Sequence, residues 1–163
     1  MMIDIPIVNL SFNPLITLRR AKLSDLDFIK EVSHTEMDSI YPGNWESWFE
    51  DINKFIIDTP NHHHKIFVIE FQRNSVGYLW FNEEVNSLWI TAIVLHSKFQ
   101  RRNIGQKVMN YLINESRKEG KEFIELGVQN NNKKALQFYY KLGFEHFDYV
   151  KVVNTDLIRL KLN

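Results

Sequence analysis

Residues 88–106 constrain the fold of this 163-residue chain more than any other stretch. The apolar run Leu88-Trp89-Ile90-Thr91-Ala92-Ile93-Val94-Leu95 is followed within a few residues by the basic, turn-forming Gln100-Arg101-Arg102-Asn103-Ile104-Gly105-Gln106. That segment opens an amphipathic stretch, 104–120, which places Ile104, Val108, Leu112 and Ser116 on one helical face with Met109 and Ile113 beside them. A strand that empties through a tight basic loop into a helix start leaves several backbone N–H groups without an intrahelical partner, at the positive end of the helix dipole. Such a turn fits a pyrophosphate. Taken alone, the same segment reads better as a basic helix-capping loop that binds nothing.

The rest of the chain supplies the layers around this unit. Residues 1–15, with Pro6 and Pro14, read as an extended lead-in, and Ile16-Thr17-Leu18-Arg19 alternates as a first strand. Ser24, three residues before Asp27, signals a helix start running to about Thr35, with Phe28, Ile29 and Val32 as its buried stripe. Tyr41-Pro42-Gly43-Asn44 is turn chemistry. A second helix is expected over 45–57, with Trp48, Ile52, Phe55 and Ile56 at helical spacing. After Pro60 the period changes: 65–71, 76–82 and 88–95 read as an antiparallel meander with turns at 72–75 and 83–87. Gly120 suits a helix C-terminus. The strand 123–128 follows a crossover helix and so is expected parallel to its predecessor. A short helix over 132–142 stops at Gly143, and 144–152 with 157–162 forms a closing hairpin. The order β-α-α-β-β-β-α-β-α-β-β predicts an α/β or α+β fold with a mixed sheet. No repeat, low-complexity tract or linker interrupts it, so residues 1–163 are expected to form one domain.

About thirty residues after the basic loop comes Asn132-Lys133-Lys134-Ala135-Leu136-Gln137-Phe138-Tyr139-Tyr140-Lys141-Leu142-Gly143-Phe144. Loop and second segment, in this order and at this distance, resemble the acetyl-CoA site of the GNAT superfamily of N-acyltransferases. The resemblance covers roughly residues 16–147 and is most specific over 93–144. The family's loop pattern is Gln or Arg, two residues, Gly, one residue, Gly or Ala. Here Gln100 fills the first position and Gly105 the last, while Asn103 stands at the first glycine, where a positive φ is expected and Asn tolerates it. The resemblance implies that N–H groups of Arg101, Arg102, Asn103, Ile104, Gly105 and Gln106 face the pyrophosphate, with the two arginines adding charge. It implies that the strand before the loop splays from its neighbour, freeing the backbone of Ile93, Val94 and Leu95 for the pantetheine arm. Asn132, Ala135 and Tyr139 match positions beside the pantetheine and the thioester sulfur. Tyr139 is the expected general acid, because a phenol stays protonated at neutral pH and the leaving thiolate needs a proton or a hydrogen bond. As a core aromatic beside Phe138 it would do neither.

An amine acceptor must lose a proton before attack, and many relatives supply a glutamate for this. The matching positions here are Thr91 and Gly127, neither of them a carboxylate. Glu125, two residues from Gly127 on the same strand face, is the candidate base, with Glu83 and Glu84 in the hairpin turn as rim charges and water as the alternative. Glu36 and Asp38 could attract a cationic amine, and Tyr41, Trp45, Trp48 and Phe49 could wall an acceptor groove, although core packing explains such aromatics equally well. His62-His63-His64 has no carboxylate or cysteine partner at a metal-site spacing, so no metal is expected. His96 is read as loop structure.

Lysine plus arginine equals aspartate plus glutamate, 20 against 20, which gives no argument for nucleic acid or membrane as partner. With no cysteine there is no disulfide scaffold and no cysteine nucleophile. Residues 1–10 lack a signal-peptide pattern and no run reaches spanning length, so a soluble cytoplasmic protein is the default. The resemblance thus implies transfer of an acetyl group from acetyl-CoA to a primary amine in a ternary complex, with a dimer through the terminal hairpin as one assembly. The alternatives are a non-catalytic acyl-CoA binder and, with less in its favour, an interaction module using the basic loop.

Overall fold

Alternating side chains and long-range pairing build the frame. The computed structural model describes residues 7–12, 14–38, 47–57 and 63–163, with the side chains of Trp48, Phe49 and Ile57 excepted. The described elements are β1 (Ile7–Phe12), β2 (Leu15–Arg20), α1 (Leu26–Met37), α2 (Trp48–Ile57), β3 (His64–Phe71), β4 (Asn74–Glu83), β5 (Ser87–Leu95), α3 (Ile104–Lys118), β6 (Phe123–Gln129), α4 (Lys133–Lys141), β7 (Glu145–Val150) and β8 (Thr155–Lys161). The strands form one sheet in the order β1-β2-β3-β4-β5-β6-β8-β7. Only β5 and β6 pair in parallel, across the crossover helix α3; all other neighbours are antiparallel.

From β2 onward the order is the expected one. The lead-in expected over 1–15 differs: Ile7–Phe12 pairs with β2 as an edge strand, packing Val8 and Leu10 against the main core. Prolines are tolerated at the ends of an edge strand. The expected cap at Ser24 also differs. Asp25 stands at the N-cap of α1 without a side-chain cap bond; its carboxylate instead accepts the Lys22 N–H at 2.8 Å and grips the Arg19 guanidinium at 2.8 and 2.9 Å. A 3-10 turn, Leu23–Asp25, precedes α1 in consequence. The turn expected over 41–44 and the start of α2 at Trp45 lie outside the described residues.

Each sheet face buries its own cluster. Phe67, Leu79, Phe81, Leu88, Ile124 and Ile158 pack with Ile104, Val108, Met109 and Leu112 of α3 and Leu136 and Tyr139 of α4. On the other face Ile66, Tyr78, Trp80, Ala92 and Val94 pack with Ile29, Val32 and Met37 of α1 and Ile52 of α2. The α1 layer also has a buried polar anchor. The Ser33 hydroxyl donates to the Ile29 carbonyl at 2.6 Å and lies 2.8 Å from the Tyr78 hydroxyl, which reaches the Met37 sulfur at 3.7 Å.

Gly120 (φ +73) ends α3 as expected: its N–H bonds Arg117 O and that of Lys121 bonds Ser116 O, the two hydrogen bonds of a Schellman motif. The hairpin turn at Gln72 and Arg73 needs positive φ at both residues (49° and 69°) and achieves it without glycine.

Candidate active site

β5 and β6 pair only along Ser87, Leu88, Trp89 and Ile90 against Phe123, Ile124, Glu125 and Leu126. Beyond Ile90 and Leu126 the strands part, and the cause lies on the opposite side of β5. There Trp80 pairs with Ala92 and Phe81 with Ile90, so Thr91 is an extra residue, a β-bulge that turns the end of β5 away from its parallel neighbour. Gly77 accommodates that end, since a Cβ on it would lie 2.2 Å from the Val94 carbonyl oxygen. The parted strands open a cavity of about 540 Å³.

The loop between β5 and α3 closes one end. A 3-10 turn, Ser97–Phe99, starts from His96, whose Nδ1 accepts the Lys98 N–H at 3.3 Å. The Gln100 side-chain amide donates to the Leu95 carbonyl at 2.9 Å. Arg101 and Asn103 both have left-handed backbone (φ 60° and 62°), with Arg102 between them on the ordinary side, an alternation that gathers successive N–H groups into an anion-binding concavity. Among the described residues no acceptor takes the N–H groups of Arg101, Arg102, Asn103, Ile104, Gly105 or Gln106; the first turn's bond is Lys107 N–H to Asn103 O at 3.0 Å. Gly105 has ordinary φ, and a Cβ there would meet its nearest neighbours, Leu95 and Phe138, at an unstrained 3.7 Å. The protein itself therefore does not require glycine at this position.

α4 closes the other side. Asn132 caps it, its Oδ1 accepting the Ala135 N–H at 3.3 Å. Tyr139, only 6% exposed, lines the cavity with its ring edge-on to Phe138 (5.1 Å) and Phe144 (5.3 Å). Burial alone raises its hydroxyl far above the ordinary phenol value, and no group among the described residues hydrogen-bonds it. It remains a protonated donor across the whole neutral and mildly alkaline range.

Ile93, Val94, Leu95, Gln100, Arg101, Asn103, Ile104, Gly105, Gln106, Asn132, Ala135 and Tyr139 thus line one cavity, with Thr91 and Gly127. Two expected residues are elsewhere. Arg102 does not line it; its guanidinium lies over the rings of Phe99 and Phe71, at 5.5 and 5.9 Å. Glu125 also lies outside the lining, its carboxylate 3.9 Å from Arg159, which is itself stacked between Phe123 and Phe147. Glu83 pairs with Lys65 at 3.6 Å, both side chains almost fully buried, and is no rim charge. His64 is structural, stacked on Phe55 at 4.2 Å and accepting the Trp80 indole N–H at 3.1 Å. Asp38 lies 3.9 Å from His34 on the exposed face of α1. Tyr41 and Trp45, and the side chains of Trp48 and Phe49, lie outside the described residues.

The lining also includes Glu36 and Met37 from α1, Gln129 from β6 and Phe138 from α4. Sequence marks Glu36 only by its charge. Its contacts are with residues more than sixty positions away, which no local pattern discloses. Among the described residues no helix is long and apolar enough to cross a membrane, and no group of three or more His, Cys, Asp or Glu is placed to hold a metal ion.

Comparison with known proteins agrees with this geometry. The model of the acetyltransferase (GNAT) family matches residues 29–144. An uncharacterized N-acetyltransferase of Methanocaldococcus jannaschii is 29% identical over 147 residues, 83% of this chain and 63% of that protein. The chain spans less than two thirds of the length of the curated relatives it matches. Among solved structures, PaiA N-acetyltransferase from Thermoplasma acidophilum in complex with coenzyme A superposes with a TM-score of 0.74 at 20% identity, covering 90% of this chain and 98% of that one. Spermidine N-acetyltransferase from Vibrio cholerae in complex with CoA and spermine gives 0.71 at 20% identity, covering 90% and 95%. At such identities the likeness establishes the fold.

Proposed function

The chain belongs to the acetyltransferase (GNAT) family, and we propose that it transfers an acetyl group from acetyl-CoA to a primary amine by direct attack in a ternary complex. One observation carries the reading: strands parted at the Thr91 bulge lead straight into a loop with six consecutive unbonded N–H groups. A phosphate at that loop would satisfy donors the fold leaves without partners. The edge of β5 that β6 leaves unpaired past Ile90 suits an amide-bearing arm lying along it as a further strand, with the Leu95 carbonyl already taken by the Gln100 amide. The lack of any protein-side need for glycine at 105 fits a backbone kept bare for close ligand approach.

The bound thioester supplies the activated acetyl group. A backbone N–H near Val94 polarises its carbonyl, the amine nitrogen bonds to the carbonyl carbon, and the C–S bond breaks. Tyr139 then serves the departing sulfur. Because burial holds its pKa so high, full proton transfer from the phenol to a thiolate is uphill, and hydrogen-bond donation is the role its surroundings favour. The proton that finally neutralises the thiolate comes from the attacking nitrogen. Among the described residues Glu36 is the only carboxylate lining the cavity, and both its oxygens already accept protein donors. Loss of the first amine proton therefore falls to solvent at the open side of the groove.

That scarcity of carboxylates favours a second reading, a non-catalytic acyl-CoA binder. Release of coenzyme A from acetyl-CoA in the presence of a panel of primary amines, run beside calorimetric titration with acetyl-CoA, separates the two. Binding with amine-dependent release establishes the transferase. Binding without release establishes the binder, and no binding removes both.

A further inference from the structure

Glu36 lies in the last turn of α1 and lines the cavity, an unexpected position for a carboxylate if the loop beside it receives a pyrophosphate. Its bonds explain the placement. Oε1 accepts the Ser97 N–H at 2.8 Å, and Oε2 accepts from the side-chain amide of Gln100 at 3.3 Å. The same amide nitrogen donates to the Leu95 carbonyl at 2.9 Å. Glu36 thus holds the first residue of the 3-10 turn and the first of the anion loop directly, and the last residue of β5 through the Gln100 amide.

The support behind that side chain is firm. Met37, its neighbour, is 7% exposed and receives the Tyr78 hydroxyl, and Ser33 one turn earlier shares that hydroxyl. α1 is therefore anchored to β4 on its buried side while Glu36 reaches out from its end. The loop, in contrast, is poorly held by its own bonds: two residues have left-handed backbone and six N–H groups lack acceptors. A loop in that condition must be ordered at the moment of binding unless something orders it beforehand.

Resting on the acetyl-CoA reading, we propose that Glu36 is a positioning residue, which holds the loop between β5 and α3 in its anion-binding conformation and so links the α1 layer to cofactor affinity. It touches neither phosphate nor acceptor. The charge is the penalty, and two donors offset it.

The sign of one measurement tests this. If Glu36 acted only through its charge, removing it would tighten binding of an anionic ligand. As a positioning residue its removal weakens binding. Calorimetric titration of the full chain with coenzyme A is expected to give Glu36→Ala an affinity about tenfold below the parent, the loss of one charge-assisted hydrogen-bond pair. Glu36→Gln keeps an acceptor for Ser97 but loses the pairing with Gln100, and falls between. Amide exchange read on the free proteins should quicken in Glu36→Ala at Ser97, Lys98, Phe99 and Gln100, the loop amides that are bonded in the parent, with α1 protection unchanged. Unchanged or tighter coenzyme A binding by Glu36→Ala overturns the proposal, as does weaker binding without faster loop exchange. A parent protein that binds no coenzyme A overturns the function reading itself, and the exchange data still report whether Glu36 orders the loop.

Discussion

The Tyr139 carbonyl accepts the Phe144 N–H at 3.1 Å while the two rings meet edge-on at 5.3 Å. With the Gly143 N–H bonded to the Tyr140 carbonyl at 3.0 Å, these are the paired hydrogen bonds and the apolar contact of a Schellman motif. The end of α4 thus fixes the ring of the residue on which the proposed chemistry depends.

Gly143 makes that closure at φ +99, where a side chain is strained although its Cβ would meet Leu160 only at 3.4 Å, van der Waals contact. Gly143→Ala is expected to lose about 1–3 kcal/mol of stability in urea unfolding, and to lower turnover at saturating acetyl-CoA more than it lowers acetyl-CoA affinity. Equal activity and stability in variant and parent would show that the motif does not position Tyr139.

Tyr139→Phe keeps the packing and removes only the hydroxyl. Turnover is expected to fall about 10²–10³-fold, the loss of one donor to developing charge, with acetyl-CoA affinity changed less than about threefold, at the low end of one hydrogen bond's worth. Glu125→Gln, whose carboxylate faces Arg159 and lies outside the cavity lining, should change turnover far less. Because burial raises the Tyr139 pKa far above 10, the parent should show no loss of activity from phenol ionisation up to about pH 9. A Tyr139→Phe enzyme as fast as the parent across pH would remove Tyr139 from the chemistry.

Gly105→Ala separates binding from folding. A methyl group meets nothing closer than 3.7 Å in the protein, and alanine is the better helix former. Thermal unfolding should be unchanged or raised, by under about 1 kcal/mol, while acetyl-CoA affinity falls at least tenfold. Intact affinity would mean that no ligand approaches this backbone.

Asp25 gives the fold a pH dependence. The side-chain bonds from Arg19 hold its pKa below the usual carboxylate range, helped by the Lys22 N–H and opposed by desolvation. A carboxylate depressed in the folded state adds stability above its unfolded pKa of about 4 and forfeits it as pH falls below that. Asp25→Asn should therefore cost about 1–3 kcal/mol at pH 7 in urea unfolding, and the gap to the parent should narrow steadily between pH 4 and pH 2. A constant gap would show that the ion pair is not its source.

Local chemistry made much of this legible. The face of α3 carrying Ile104, Val108, Leu112 and Ser116 is buried as its spacing predicts, Gly120 and Gly143 end their helices, and Asn103 adopts the positive φ expected of it. The parting of β5 and β6 was expected from resemblance, and its cause was not. Thr91 has no property that marks a bulge; pairing on both sides of it creates one. β1 reads as a lead-in from sequence because it is short and lies between Pro6 and Pro14, although Val8 and Leu10 alternate inward. Arg102 was grouped with Arg101 by charge alone, whereas two aromatic rings from different elements, Phe71 and Phe99, hold it. Glu36 belongs to the same class: its partners are neighbours only after the chain has folded.

The cleft exists because β5 is one residue longer than the ladder beside it can use. Its dependence on side chains is visible at Gly77, where a Cβ would lie 2.2 Å from the Val94 carbonyl oxygen and displace the end of β5. Deleting Thr91 is expected to restore a regular ladder and let the two ribbons pair further along, which a folded variant that no longer binds coenzyme A would report. Substitutions in its walls thus change what the opening can hold, while the opening itself rests on the count of residues in β5 and on a bare Gly77.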